Sequence, residues 1–229
     1  MISVIIPTLN AEARLAETLT ALVPAAVEGL VREVIVVDGG STDATARIVE
    51  EAGATLVSRS GGRGYQLLVG AGRARFPWLL FLHGDTVLEA GWEREAGAFM
   101  ERVDTGRRPA SAAAFRFALD DLGARPRLLE RIVALRCALL RLPYGDQGLL
   151  IPKRLYGDVG GHNPMPLMED VDIVRRLGRR RTAMLQARAV TSAVRYQQAG
   201  YLRRSARNVL CLSLYYVGVR PEVLRRIYG

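Results

Sequence analysis

The sequence predicts an α/β fold, with a mostly parallel sheet flanked by helices, for three reasons. Short, continuously apolar segments recur through residues 1–90 and are typical of strands buried on both faces. Helix-like segments separate them, as the crossover connections between parallel strands require. A polar residue or a glycine-rich loop follows each apolar segment directly.

Four strands are predicted in the first part of the chain, at residues 2–6, 34–37, 55–57 and 78–82. Asn10 can cap the helix that follows the first strand, and Pro24 is expected to end that helix. A second helix closes at Gly53, and a glycine-rich loop at residues 61–64 precedes a third. This order of elements fits successive β-α-β units.

The second part of the chain is less regular. Strands are predicted at residues 112–119 and 148–151, and helices at residues 128–142, 169–177 and 201–217. No linker, internal repeat or low-complexity segment interrupts it. We therefore expect one domain, residues 1–229.

Composition limits the class of protein. The net charge is +9 and Lys153 is the only lysine, so the positive charge is almost all arginine. Such a balance suits an anionic partner, namely phosphates, nucleic acid or anionic lipid, or a merely solvated surface. Cys137 and Cys211 lie in apolar stretches, which predicts reduced thiols in a reducing compartment such as the cytoplasm. The first apolar run stops at Pro7, and no stretch reaches the roughly 20 apolar residues that span a bilayer, so we expect neither signal peptide nor transmembrane helix.

Polar residues converge on one edge of the predicted sheet. Asn10 and Glu12 follow the first strand, and Asp38 follows the second. Arg63 follows the third strand and Asp85 the fourth. Ligands of such sheets bind beyond the carboxyl ends of the strands, so these side chains mark a candidate site. Ordinary turn and cap residues are the alternative.

The chemistry of these groups suits a phosphorylated ligand held with a metal. No Walker-type loop is present, and residues 7–10 replace the glycine fingerprint of dinucleotide-binding proteins. Asp38 can accept hydrogen bonds from a base or ribose. Asp85 can hold Mg²⁺ or Mn²⁺ together with diphosphate oxygens, and Arg63 can add a charge-assisted hydrogen bond.

A pair of acids, Glu169 and Asp170, stands at the start of a predicted helix. The helix dipole favours an ionised carboxylate there, and such a carboxylate can act as a general base toward a hydroxyl. Acids without catalytic function at a helix N-terminus are the alternative.

Four segments together resemble the family 2 glycosyltransferases, whose fold is termed GT-A. They are residues 4–10 (VIIPTLN), 36–43 (VVDGGSTD), 82–86 (LHGDT) and 169–170 (ED). Residues 62–66, 143–148 and 166–171 also resemble a bacterial subgroup labelled arsenosugar-biosynthesis or selenodomain-associated glycosyltransferases. The resemblance spans nearly the whole chain.

The resemblance implies a metal-dependent, inverting glycosyltransferase that uses a nucleoside-diphosphate sugar, with uracil the expected base, and an unknown hydroxyl acceptor. Residues 1–90 would form the nucleotide-binding half, and residues 91–229 the acceptor half with the C-terminal helices. The implied nucleotide-binding residues are Pro7, Thr8, Asn10, Glu12, Asp38, Gly39, Arg63, Gly84 and Asp85. Asp85 is the implied metal ligand for Mg²⁺ or Mn²⁺, and the implied catalytic residues are Asp170 and Glu169. Asp146, Gln147 and Arg195 are expected on the acceptor side.

The chain departs from the family pattern at two points. His83 stands where the family has the first acid of its Asp-x-Asp metal motif, and the Gln-x-x-Arg-Trp motif is absent. A processive polymer synthase is therefore not expected. A sugar-nucleotide pyrophosphorylase and a non-catalytic nucleotide or anion-binding module are alternative functions; the RNA-binding signatures of aromatic-rich domains are absent, so we expect no nucleic-acid partner.

Two apolar helices carry several arginines, at residues 128–142 and 201–217. Packing into the core or a homodimer contact explains them, and so does docking at an anionic membrane, on its inner face and near a lipid-linked acceptor.

Overall fold

The computed structural model describes residues 1–228, and within them eight strands form one sheet. The strands are β1 (Ile2–Thr8), β2 (Val31–Asp38), β3 (Thr55–Ser58), β4 (Trp78–Phe81), β5 (Thr86–Leu88), β6 (Ala112–Leu119), β7 (Leu149–Pro152) and β8 (Thr182–Thr191). The helices are α1 (Glu12–Thr20), α2 (Val23–Val27), α3 (Thr45–Glu51), α4 (Arg63–Arg73), α5 (Trp92–Asp104), α6 (Ala124–Leu140), α7 (Lys153–Asp158), α8 (Glu169–Leu177), α9 (Val194–Ala199), α10 (Tyr201–Tyr216) and α11 (Pro221–Tyr228).

The sheet has the order β3-β2-β1-β4-β7-β6-β8-β5. Its first four strands are parallel, so Ile5 of β1 pairs with Ile35 on one side and with Phe81 on the other. β7 runs antiparallel to both β4 and β6, whereas β6 and β8 are parallel and β5 is antiparallel to β8. Four of the seven pairings in residues 1–228 are thus parallel, and the predicted α/β fold class is confirmed.

Strand β1 contributes side chains to two hydrophobic cores, one on each face of the sheet. All seven of its residues are buried. Ile6 belongs to a cluster with Phe115, whereas Ile5 belongs to a cluster with Leu79 and Ile173 on the other face. Burial on both faces is why β1 is continuously apolar rather than alternating.

Two predicted helix boundaries are wrong. Helix α1 begins at Glu12, and Asn10 does not cap it; Asn10 has a φ of 51° and accepts a hydrogen bond of 3.0 Å from the Thr42 amide. Pro24 does not end α1, which stops at Thr20. Pro24 lies in the first turn of α2. Backbone N–H groups in the first turn have no acceptor within the helix, so a proline, which lacks this group, is tolerated there.

The second half of the sheet carries strands that the sequence did not indicate. β5 and β8 pair along the outer edge, and α5 packs against β8. Cys137 and Cys211 are both buried free thiols in separate clusters. Within the described residues, no helix combines the length and apolar character that crossing a membrane requires.

Candidate active site

The loop after β2 is organised by the carboxylate of Asp38. Its Oδ1 accepts hydrogen bonds from the hydroxyls of Thr8 (3.1 Å) and Ser41 (2.5 Å), and its Oδ2 accepts from the amides of Gly40 (3.0 Å) and Ser41 (2.8 Å). Burial raises the pKa of Asp38, but these hydrogen bonds outweigh it and leave the pKa below its usual value. Asp38 is therefore ionised, and its observed contacts fix the loop after β2.

The loops after β1 and β2 hold one another. The backbone amide of Asn10 donates to the Ser41 hydroxyl (2.8 Å). The Glu12 carboxylate accepts from the backbone amide of Ala44 (2.9 Å), and the backbone amide of Glu12 donates to the Asp43 carboxylate (3.0 Å). Asn10 and Glu12 were predicted to line a nucleotide pocket. In this structure their polar atoms connect the two loops that would form its wall.

Gln66, to which the sequence assigned no role, joins β1 and β2 to α4. Its side-chain amide donates to the carbonyls of Thr8 and Val37, at 2.8 Å each, and it is almost fully buried. A side chain at Gly39 would lie 3.1 Å from the Gln66 amide nitrogen. Pro7 pairs with Val37 in the same ladder, so the ends of the two strands are tightly fixed.

The end of β4 brings an acid next to β1. A side chain at Gly84 would come within 3.2 Å of Thr8, which explains the glycine. The next residue, Asp85, is half-buried, and its carbonyl accepts a hydrogen bond of 3.3 Å from the Ser192 amide. Its carboxylate enters no ion pair within residues 1–228.

Arg63 connects this edge to the second half of the chain. Its Nε donates to the Glu169 carboxylate, and its Nη2 lies 3.9 Å from Asp170 Oδ2. Its Nη1 lies 3.3 Å from His83 Nε2. A guanidinium can only donate, so this arrangement assigns Nε2 as the acceptor and places the imidazole proton on Nδ1. Burial and the charge of Arg63 lower the pKa of His83 to about 4, so the ring is neutral at pH 7.

Glu169 and Asp170 differ sharply in environment. Glu169 is fully buried, and burial raises its pKa although Arg63 opposes the shift. Its Oε2 has no hydrogen-bond partner within residues 1–228. Glu169 is thus a buried ion-pair partner of Arg63, and its catalytic role stays a prediction.

Asp170 has the properties of a half-buried, ionised carboxylate. Its Oδ2 accepts a hydrogen bond of 2.7 Å from the Gly145 amide, and its Oδ1 accepts one of 2.8 Å from the Val171 amide. Burial raises the pKa of Asp170, but the charge of Arg63 and the two amide hydrogen bonds lower it by more, so the pKa lies below its usual value. A side chain at Gly145 would lie 2.7 Å from His83 Nε2 and 3.0 Å from Asp170 Oδ2, so only glycine fits there.

The three residues predicted on the acceptor side have different positions. Gln147 is 1% exposed and donates to the Phe115 carbonyl (2.9 Å), so it holds the turn, and its place on the acceptor side stays a prediction. Asp146 is half-buried, its Oδ1 lacks a partner within residues 1–228, and burial raises its pKa to about 6. Arg195 is exposed at the start of α9.

A narrow cavity of about 30 Å³ adjoins Asp170. Phe81, His162, Tyr144 and Gly145 are among its lining residues. It has room for about two water molecules and is too small for a sugar, so a sugar would have to bind in the open cleft above it.

The side chains of the site could hold a metal ion only if a bound substrate supplied further oxygen ligands. Within the described residues, no group of three or more His, Cys, Asp or Glu side chains can hold an ion. Asp85, a half-buried carboxylate without an ion-pair partner, is the kind of single oxygen ligand that Mg²⁺ uses beside substrate phosphates. His83 Nε2 faces Arg63, so it is not free for a metal in this arrangement.

The family model described as glycosyl transferase family 2 matches residues 3–122. The chain belongs to glycosyl transferase family 2. It is therefore a glycosyltransferase, and this assignment favours transfer over the pyrophosphorylase and the non-catalytic module. No curated protein matches the chain.

Solved structures place this family 2 enzyme in the GT-A fold. S. aureus TarS 1-349 has a TM-score of 0.63 at 18% identity, over 99% of this chain and 69% of that one. The same protein with UDP-GlcNAc gives 0.62 at 18%, over 99% and 70%. Glucosyl-3-phosphoglycerate synthase from Mycobacterium tuberculosis, with Mn²⁺, UDP and phosphoglyceric acid, gives 0.59 at 23%, over 96% and 79%. The arsenosugar or selenodomain subgroup is supported by none of these.

Proposed function

We propose that this enzyme is a metal-dependent, inverting glycosyltransferase that moves a sugar from a UDP-sugar to a hydroxyl acceptor. The proposal depends most on one observation. His83 and the ionised carboxylate of Asp170 line the same cavity, on either side of Gly145, and the unpaired carboxylate of Asp85 follows His83 by two residues in the same loop. Donor-metal binding and proton abstraction would therefore take place side by side.

The donor would bind where β1, β2 and β4 end. TarS with UDP-GlcNAc and the M. tuberculosis synthase with Mn²⁺ and UDP support uridine as the nucleoside. The edges of the loops fixed by Asp38 and Asn10 would flank the base and ribose. Asp85 would hold Mg²⁺ or Mn²⁺, which when bound neutralises the charge of the departing diphosphate.

Asp170 would act as the base. The acceptor oxygen forms a bond to the anomeric carbon from the side opposite the diphosphate, while the bond to the diphosphate oxygen breaks. The hydroxyl proton passes to the Asp170 carboxylate, and configuration at the anomeric carbon inverts. The Gly145 amide orients the carboxylate, and Arg63 keeps it ionised.

Calorimetry with nucleoside diphosphates tests the donor assignment. We expect UDP to bind in the presence of Mn²⁺ at least about 10-fold more tightly than with EDTA, because a metal held by Asp85 would neutralise the charge of the diphosphate. GDP and ADP serve as matched ligands. Equal binding of all three with and without metal, or tight binding of RNA instead of UDP, would contradict the proposal.

We also propose a cytoplasmic enzyme that docks on an anionic membrane surface through α6. Four exposed side chains on one face of the helix form the α6 stripe, namely Leu128, Ile132, Leu135 and Leu139. The exposed charges beside it are Arg125 and Arg131, and the single acid of α6, Glu130, is paired with Arg127 at 2.6 Å. A homodimer through the same face would bring like charges together, so an anionic bilayer suits the surface better.

Vesicle co-sedimentation tests the docking. We expect binding to phosphatidylglycerol vesicles but not to phosphatidylcholine vesicles, and weaker binding at high salt because the arginine charges are screened. The double variant Ile132→Glu/Leu135→Glu should abolish binding. Val27→Glu, at an 82% exposed position on α2, is the matched control. A stable dimer in light scattering that the double variant dissociates would favour self-association instead.

A further inference from the structure

Helices α10 and α11 bring two arginines onto one tyrosine. Arg204 is only 9% exposed, and its Nη2 donates to the Tyr228 hydroxyl at 2.7 Å. The guanidinium carbons of Arg204 and Arg207 lie 4.7 Å and 5.8 Å from the centre of the Tyr228 ring. We call these three residues the α10–α11 cluster.

The cluster lacks a negative partner. Neither arginine forms an ion pair with a carboxylate within residues 1–228, and Arg207 Nε is buried there without a hydrogen-bond partner. Helix α10 contains no acid, and the single acid of α11, Glu222, is exposed. A buried guanidinium without a counter-ion, such as that of Arg204, is costly, and a bound anion removes that cost.

The cluster lies beside the acceptor side of the cleft. Asn208 on α10 donates to the Tyr196 hydroxyl at 3.4 Å. Tyr228 and Tyr144 both pack against the apolar cluster that contains Met168. Tyr144 directly precedes Gly145, and Met168 lies two residues before Asp170. An anion held by the α10–α11 cluster would therefore lie on the side of the cleft formed by these segments.

We propose that the α10–α11 cluster binds a phosphate group carried by the acceptor. This rests on the proposed glycosyl transfer, since it names the class of acceptor for that reaction. Two guanidiniums and one hydroxyl offer several donors, which suits the oxygens of a phosphate, and guanidinium pairs with phosphate in a planar, bidentate manner. The phosphate can belong to a soluble ester or to a lipid headgroup, and the recognising chemistry is the same.

Phosphate binding to matched variants tests this. Inorganic phosphate is titrated at constant ionic strength, with UDP and Mn²⁺ saturating so that the diphosphate position is filled. We expect Arg204→Gln and Arg207→Gln to weaken phosphate binding about 10-fold or more, because each removes a charge-assisted contact. Arg203→Gln, at the exposed neighbouring position on α10, should bind within about two-fold of the unaltered protein.

A second set of measurements separates binding from folding and from the donor site. Arg204→Lys keeps the charge and should recover part of the phosphate affinity. If the arginines had a purely structural role, the loss of phosphate affinity would instead follow the fall in melting temperature from variant to variant. UDP affinity should be unchanged in all of them. If UDP fails to bind the unaltered protein, the proposed function fails, and the phosphate titration without UDP still decides this inference.

The source of the phosphate is distinguished by two ligands. Glycerol 3-phosphate should bind and glycerol should not if the group is soluble; phosphatidic acid vesicles should bind in an Arg204-dependent manner if it is a lipid. Either result supports the cluster as a phosphate site. Affinity for phosphate, glycerol 3-phosphate and phosphatidic acid that is the same in Arg204→Gln, Arg207→Gln and Arg203→Gln would overturn it.

Discussion

Replacing Asp170 with asparagine is expected to slow sugar transfer by about 10²–10⁴-fold, the usual contribution of a general base, while donor affinity stays the same. The amide keeps the size of the side chain and can still accept from the Gly145 amide, but it cannot take up the acceptor proton. Single-turnover transfer and UDP calorimetry measure the two quantities separately.

The matched control is Asp172→Asn, on the same helix. Asp172 pairs with Arg176 at 2.6 Å, so this change should lower stability without a comparable loss of the transfer rate. Transfer by Asp170→Asn at the unaltered rate would remove Asp170 from the mechanism. A parallel loss of donor affinity would show instead that Asp170 belongs to the donor site.

Replacing Asp85 with asparagine is expected to weaken metal-supported UDP binding by about 10-fold or more, to the affinity measured in EDTA, because the proposed ion loses its protein carboxylate. UDP binding in EDTA should be the same in the variant and the unaltered protein, since the nucleoside contacts lie elsewhere. Calorimetry with Mn²⁺ and with EDTA gives both values.

Glu89→Gln provides the control for Asp85, since it removes an acid shortly after it in the chain. Glu89 pairs with Arg188 at the surface, at 2.7 Å, and its loss should leave UDP affinity unaltered. If Asp85→Asn binds UDP with the same metal dependence as the unaltered protein, the ion is held by other groups and the metal assignment is wrong.

The nucleotide half of the fold is readable from local patterns. Strands β1 and β4 are mostly apolar because they are buried on both faces of the sheet, and polar residues follow them. The strands β8 and β5, at the other end of the sheet, give no such signal. β5 has three residues, and β8 mixes Gln186 and Arg188 with apolar side chains, because one part of it is exposed. Helix α6 ends at Leu140 rather than at Leu142, because Arg141 adopts a φ of 53° that closes the helix.

The site was predictable only where its residues follow parallel strands, because the carboxyl ends of such strands lie at the same edge of the sheet. Asp38 ends β2 and Asp85 follows β4, the two strands on either side of β1, so the topology predicted a shared edge. The pairing of Arg63 with Glu169 joins residues 106 positions apart, and no local pattern encodes such a contact. The burial of Gln147 and Glu169 was not predictable for the same reason, since distant segments cover both side chains. The α10–α11 cluster likewise depends on how two late helices pack.

The family match ends at residue 122, yet the sheet does not divide there. β7, from residues 149–152, lies between β4 and β6, and Asp170 lies further along the chain on α8. A fragment cut after residue 122 would leave one side of β4 unpaired and would lack the proposed base. Recombination or gene splitting at that boundary would therefore divide one continuous sheet rather than separate two.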